Sequence, residues 1–161
     1  MVTKDQIFDW LEEVSDPEIP VLSVVDLGVV RDARMDNDRW LITITPTYSG
    51  CPAMKMMEQE IIKKLNDNGL EKVKVEMILS PAWTTDWLSF KGREKLREYG
   101  IAPPENEVDK SVLFAEPTIV PCPKCKSKNT RMVSQFGSTS CKASYQCNDC
   151  LEPFDYFKCH R

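Results

Sequence analysis

The chain has 161 residues, 42% hydrophobic and 29% charged, which fits one folded core domain with a small appendage. No apolar run approaches the roughly 20 residues that span a bilayer, and the opening residues MVTKDQIFDWLEE carry Asp5, Asp9, Glu12 and Glu13 where a secretion signal would be basic and then apolar, so a cytoplasmic protein is expected. The net charge of -4 is unevenly spread: residues 1–121 hold 14 Lys and Arg against 22 Asp and Glu, and residues 122–161 hold 7 against 3, which argues against nucleic acid as a partner of the larger part.

Thr3 and Gln6 stand at capping-box spacing ahead of Ile7, Trp10, Leu11 and Val14, whose i, i+3, i+4, i+7 recurrence predicts an amphipathic helix that stops before Asp16-Pro17. DPEIPVLSVVDLG, residues 16–28, has too many breakers for a helix and too little alternation for a strand, so an ordered loop is expected there. Strands follow near 29–35 and 40–46, joined by a turn at Asp36-Asn37-Asp38. In the second strand Trp40, Ile42 and Ile44 are expected on one face and Thr43 and Thr45 on the other.

The stretch TYSGCPAMKMMEQE places Cys51 between a turn and a helix. Proline is tolerated at the first helical position, so Pro52 puts Cys51 at or near the N-cap, where the helix dipole favours a thiolate. Cys51 is therefore a candidate nucleophile, redox centre or metal ligand, with a buried structural thiol as the bland alternative. The helix carries Met54, Met57, Ile61 and Leu65 on one stripe and ends at Asn68-Gly69. VKVEMIL, 73–79, alternates as a strand. TTDWLSFKGREKLREYG reads as a helical extension broken near Gly92 and ending at Gly100, and the prolines at 103, 104, 117 and 121 suggest a linker.

CPKC at 122–125 and CNDC at 147–150 offer two CxxC turns joined by a hairpin, with strands near 130–136 and 140–146 and a turn at Gly137-Ser138. Such turns aim four thiolates at one ion, so Cys122, Cys125, Cys147 and Cys150 are expected to bind structural zinc, with iron compatible with the same donor set. Cys141, Cys159 and His160 fit a second metal site or redox pair, or two small core thiols beside an exposed histidine. The expected fold class is α+β: a small α-β-β-α-β two-layer domain with a helical extension over residues 1–100, a Pro-rich linker over 101–121, and a zinc-ribbon β module over 122–161.

Two resemblances attach to these residues. DPEIP, DLGVV and TPTYSGCP resemble the small domain of SufT-like iron-sulfur carrier and maturation proteins. SPAWTTDW, KLREYGIAPP, the CPKC knuckle, FGSTSCKASYQC and EPFDYFKCH resemble the PaaD (PaaJ) family of phenylacetate degradation. Together they cover almost the whole chain, although Thr47, Tyr48 and Ser49 depart from the commoner TTPGCP form. The resemblance implies a cofactor-binding role for Cys51 with Asp16 and Asp26 near it, and a transient iron-sulfur cluster. It also implies an accessory role in the phenylacetyl-CoA epoxidase system: assembly or delivery of a cluster, with the reductase and oxygenase components as partners. A structural or docking role in the oxygenase complex is the alternative, and a homodimer remains open. No catalytic residue is assigned, because the sequence has no paired Glu-x-x-His motif and no GxGxxG.

Overall fold

A computed structural model describes residues 1–48, 50–104, 119–139 and 141–157. It divides into two compact units, Met1–Gly92 and Arg93–Arg161.

In the first unit, α1 (Lys4–Leu11) begins with the expected capping box: the Thr3 hydroxyl accepts from Gln6 N–H and the Gln6 side chain accepts from Thr3 N–H. Its buried face presents Ile7 and Leu11. The helix ends three residues earlier than the apolar period suggests, with Val14 buried from the following turn. Strands β1 (Val30–Asp36) and β2 (Arg39–Ile44) form an antiparallel hairpin whose turn residues Asn37 and Asp38 both have positive φ, a conformation these side chains tolerate. Helix α2 (Met54–Asp67) then crosses over to β3 (Val73–Met77), which pairs parallel with β2, giving the order β1-β2-β3. Helix α1 packs on α2 and β1, and α2 on β3. Met54, Met57, Ile61 and Leu65 are all buried, as their stripe requires. Central strand β2 is buried on both faces, Leu41 and Thr43 as well as Ile42 and Ile44.

The segment after β3 differs from the expected broken helix. A short 3-10 turn at Thr85–Trp87 is followed by Leu88 in an extended conformation and then by α3 (Phe90–Tyr99), so the break lies before Gly92 and the glycine sits inside the helix. A Cβ on Gly92 would lie 3.1 Å from the Asp26 carbonyl oxygen, a close approach that explains the residue better than a break does. The unit boundary falls within α3.

In the second unit, β4 (Ile101–Ala102) pairs parallel with β7 (Pro153–Phe157), which pairs antiparallel with β6 (Lys142–Cys147), itself paired with β5 (Thr130–Ser134). Ile101 and Ala102, expected to open a linker, are thus sheet residues. Backbone pairing across more than fifty positions cannot be read from the prolines beside them. Val120, Ala143, Tyr145, Phe154 and Tyr156 form the core together with Ala102, Cys122 and Cys147. Tyr145 stacks on Phe154 at 5.8 Å and meets Tyr156 edge-on at 5.7 Å. Cys141 is buried, and its sulfur lies 3.0 Å from the Thr139 hydroxyl. Cys159 and His160 lie outside the described residues.

Candidate functional site

The loop after β2 turns back on itself to present Cys51. Cys51 N–H donates to the Tyr48 carbonyl at 3.2 Å, and Gly50 takes φ 77°. A Cβ there would meet nothing within 4 Å, so left-handed backbone geometry selects glycine and crowding does not. Helix α2 starts at Met54 with Ala53 as N-cap, two residues later than expected, and Met54 N–H reaches the Cys51 carbonyl at 3.3 Å. Cys51 therefore lies two residues ahead of the N-cap.

The residue is only 9% exposed. Burial pushes the Cys51 thiol above the ordinary thiol range. The Ala53 N–H and the Thr47 and Tyr48 hydroxyls pull the other way, and the Glu18 charge adds to the rise. With the N-cap at Ala53 and the residue buried, desolvation disfavours the Cys51 thiolate more than the nearby donors favour it. Glu18, Thr47 and Tyr48 escaped the sequence reading as site residues. The signal available for them was their place inside DPEIP and TPTYSGCP, the two segments that carry the resemblance.

Asp16 and Asp26 are buried, 4% and 2% exposed, and both organise backbone. Asp16 Oδ1 accepts from Glu18 N–H at 2.7 Å and Ile19 N–H at 2.6 Å, which fixes the turn that presents Glu18. Asp26 and Ser23 bond reciprocally: Asp26 N–H to Ser23 Oγ at 2.9 Å, and Ser23 N–H to Asp26 Oδ2 at 3.3 Å. Ser89 Oγ donates to Asp26 Oδ1 at 3.1 Å. Beside it Gly28 packs under Trp87, the Trp83 indole N–H donates to Leu27 O at 2.8 Å, and the Arg31 guanidinium lies 3.5 Å from the Trp87 ring centre. Among the described residues, no group of three ligating side chains suited to an ion includes Cys51, Asp16 or Asp26.

Cys122, Cys125, Cys147 and Cys150 do form such a group, with their sulfurs all within 4.8 Å of one another. Cys122 and Cys150 sulfurs are 3.7 Å apart and those of Cys125 and Cys147 3.6 Å. Four sulfurs at about 2.3 Å from a central zinc stand about 3.8 Å apart at tetrahedral corners, so the arrangement fits a tetrahedral ion. Each turn is closed alike: Cys122 N–H donates to Ser127 O at 2.9 Å and Cys147 N–H to Glu152 O at 3.0 Å, with Lys126 and Leu151 at φ 63° and 65° directly after the second cysteine of each pair. Cys147, which accepts the Cys150 N–H, is drawn down to about 7. Cys125, despite a hydrogen bond from Ser127 N–H, is pushed up to about 12 by desolvation and its neighbouring sulfurs. Negative charge on sulfurs this close together is mutually unfavourable, and a divalent cation among them removes that conflict. No helix among the described residues is long and apolar enough to cross a membrane.

Comparison with known proteins defines the class first. Residues 4–79 match the iron-sulfur cluster assembly protein family, and residues 106–158 match the PaaD zinc beta ribbon domain. A protein of Escherichia coli (strain K12), described provisionally as a subunit of 1,2-phenylacetyl-CoA epoxidase, is 49% identical over 96% of this chain and 92% of its own length. The chain belongs to this PaaD family. The Fe-S protein maturation auxiliary factor YitW of Bacillus subtilis (strain 168) is 41% identical over 53% of this chain and 85% of its own length. A domain of unknown function from Bacillus anthracis superposes with TM-score 0.54 at 29% identity, covering 58% of this chain and 90% of that one. The α+β expectation and the PaaD and iron-sulfur-assembly resemblances therefore hold.

Proposed function

We propose that this chain is a maturation factor of the phenylacetyl-CoA epoxidase system that assembles or delivers an iron-sulfur cluster, with the reductase component as client, in the cytoplasm. The observation that carries the reading is Cys51, the one cysteine in residues 1–121, enclosed by hydrogen-bond donors on a unit of iron-sulfur-assembly type. A thiolate is a soft ligand suited to iron-sulfur clusters, and one thiol favours release where four would retain. Because Cys51 holds its proton more tightly than a free thiol, ligation of the cargo expels that proton and release readmits it, so the loaded and empty states differ in protonation. A thiol from a second copy or a small molecule completes the ligation. Asp16 and Asp26 contribute by holding the two loops, and Glu18 is the carboxylate that feels the thiol. The ribbon over residues 122–161 carries structural zinc.

Deleting the chain from the oxygenase operon tests this directly. The reductase should then be folded yet lack its cluster, and adding pre-assembled holo-reductase should restore epoxidation in vitro. If epoxidation still requires this chain after holo-reductase is supplied, a docking role in the oxygenase complex replaces it. That second reading is favoured by exposed Met132, Val133 and Phe136 on and beside β5, apolar side chains that a partner would cover.

A further inference from the structure

The four ribbon thiols fall into an inner and an outer pair. Cys122 and Cys147 are 1% and 0% exposed and belong to the module's apolar core, whereas Cys125 is exposed and Cys150 half-buried. Each CxxC turn supplies one of each kind, so a tetrahedral ion held here is covered on the side of Cys122 and Cys147 and reachable on the side of Cys125 and Cys150. Lys124, Lys126 and Lys128 are exposed around Cys125, and Lys124 alone of the three has a described ion pair, with Glu152 at 3.0 Å. A polar clasp ties the two turns together without the ion: Asp149 accepts from Ser127 Oγ and from Asn129 Nδ2 at 2.9 Å, Asn148 N–H donates to Asn129 O at 2.8 Å, and Asn148 Nδ2 donates to Asn129 Oδ1 at 3.1 Å. Breaking one metal-sulfur bond therefore leaves both turns in place.

We infer that metal enters and leaves the ribbon through the edge formed by Cys125 and Cys150, by substitution in which a small anionic thiolate displaces Cys125 first. This inference rests on the reading of the ribbon as a metal site. The incoming sulfur gives its electron pair to the ion. The bond to Cys125 breaks with both electrons remaining on that sulfur, which takes a proton from water, and no oxidation state changes. Associative substitution of this kind needs an open line of approach, and the core denies one to Cys122 and Cys147. The exposed lysines favour a negatively charged entrant.

The test uses the zinc-reconstituted full chain. Substoichiometric N-ethylmaleimide is added in steps, each cysteine is mapped by mass spectrometry, and released zinc is read with a chromogenic chelator. Among the four grouped cysteines, Cys125 should be modified first and Cys150 second, with Cys122 and Cys147 protected until zinc has left. Glutathione should accelerate zinc transfer to the chelator in proportion to its concentration, and Cys125→Ser should release zinc at least tenfold faster while keeping the ribbon's circular-dichroism signal. Inner cysteines labelled as early as Cys125, or a release rate indifferent to glutathione, overturn the inference. A chain that takes up no zinc on reconstitution overturns the metal reading itself, a result distinguishable from either.

Discussion

Replacing Cys51 by serine and by alanine separates what the sulfur does chemically from what it does for packing. The Cys51 sulfur is buried and accepts from Ala53 N–H, with the Thr47 and Tyr48 hydroxyls also within reach. Serine keeps an acceptor for these donors but exchanges a weakly polar buried atom for a hydroxyl, a change of about 1 kcal/mol. Alanine removes the acceptor altogether and leaves a backbone N–H and two hydroxyls to find water, which raises the loss to about 1–3 kcal/mol. All four tryptophans, at positions 10, 40, 83 and 87, lie in the first unit, so tryptophan fluorescence follows its unfolding without a contribution from the ribbon. For a domain of this size each kcal/mol lowers Tm by about 4–8 °C. The serine variant should therefore melt within about 8 °C of the parent and the alanine variant below it. With the ribbon loaded with zinc beforehand, both should fail to develop thiolate-to-iron charge-transfer absorption on anaerobic reconstitution, because a serine hydroxyl stays protonated at neutral pH and ligates iron poorly and alanine offers no ligand. A serine variant that loses several kcal/mol marks a packed structural thiol, and one that is reconstituted like the parent refutes Cys51 as the cargo ligand.

Alkylation of Cys51 by iodoacetamide should be slow at pH 7.5 and rise only above the ordinary thiol pKa, since the raised value keeps the neutral form dominant through neutral pH. A rate already saturated at pH 7.5 would contradict the burial argument. Gly28→Ala should destabilise the first unit by about 3 kcal/mol: its φ is 76°, where a side chain costs about 1–2 kcal/mol, and the new Cβ would sit 2.4 Å from the Trp87 carbonyl oxygen, forcing a backbone shift of similar cost. Urea unfolding followed by tryptophan fluorescence measures it. Leu151→Gly should stabilise the zinc-loaded ribbon by about 0.5–1 kcal/mol, because the exposed leucine is held at φ 65° and glycine relieves that strain at some entropic loss. A far-UV thermal melt in which this variant falls below the parent would show that the leucine makes a contact worth more than the strain.

The elements that could be read directly are those fixed by neighbours in sequence. Thr3 and Gln6 cap α1 because a hydroxyl and an amide three positions apart reach each other's N–H groups in any helix start. Asn37 and Asp38 turn the first hairpin because their short polar side chains tolerate positive φ. The two CxxC turns announce a four-sulfur site whatever surrounds them, and the observed sulfur spacings follow from that local geometry once the β5–β6 hairpin returns the chain.

What the tertiary structure decided is where solvent goes and which distant groups meet. Cys51 had the local marks of an activated thiol, yet burial outweighs the donors around it and raises its pKa, an outcome set by what packs over the loop. Glu18 comes near that thiol only because Asp16 folds the DPEIP turn inward, a meeting of segments more than thirty residues apart. Ile101 and Ala102 became a strand by finding β7. The four grouped cysteines of the ribbon, equivalent in a motif, were divided into covered and open thiols by an aromatic core assembled from β6 and β7. Sequence spacing fixes bond geometry over three or four residues, whereas exposure and electrostatic neighbourhood are sums over everything the fold brings within a few ångströms.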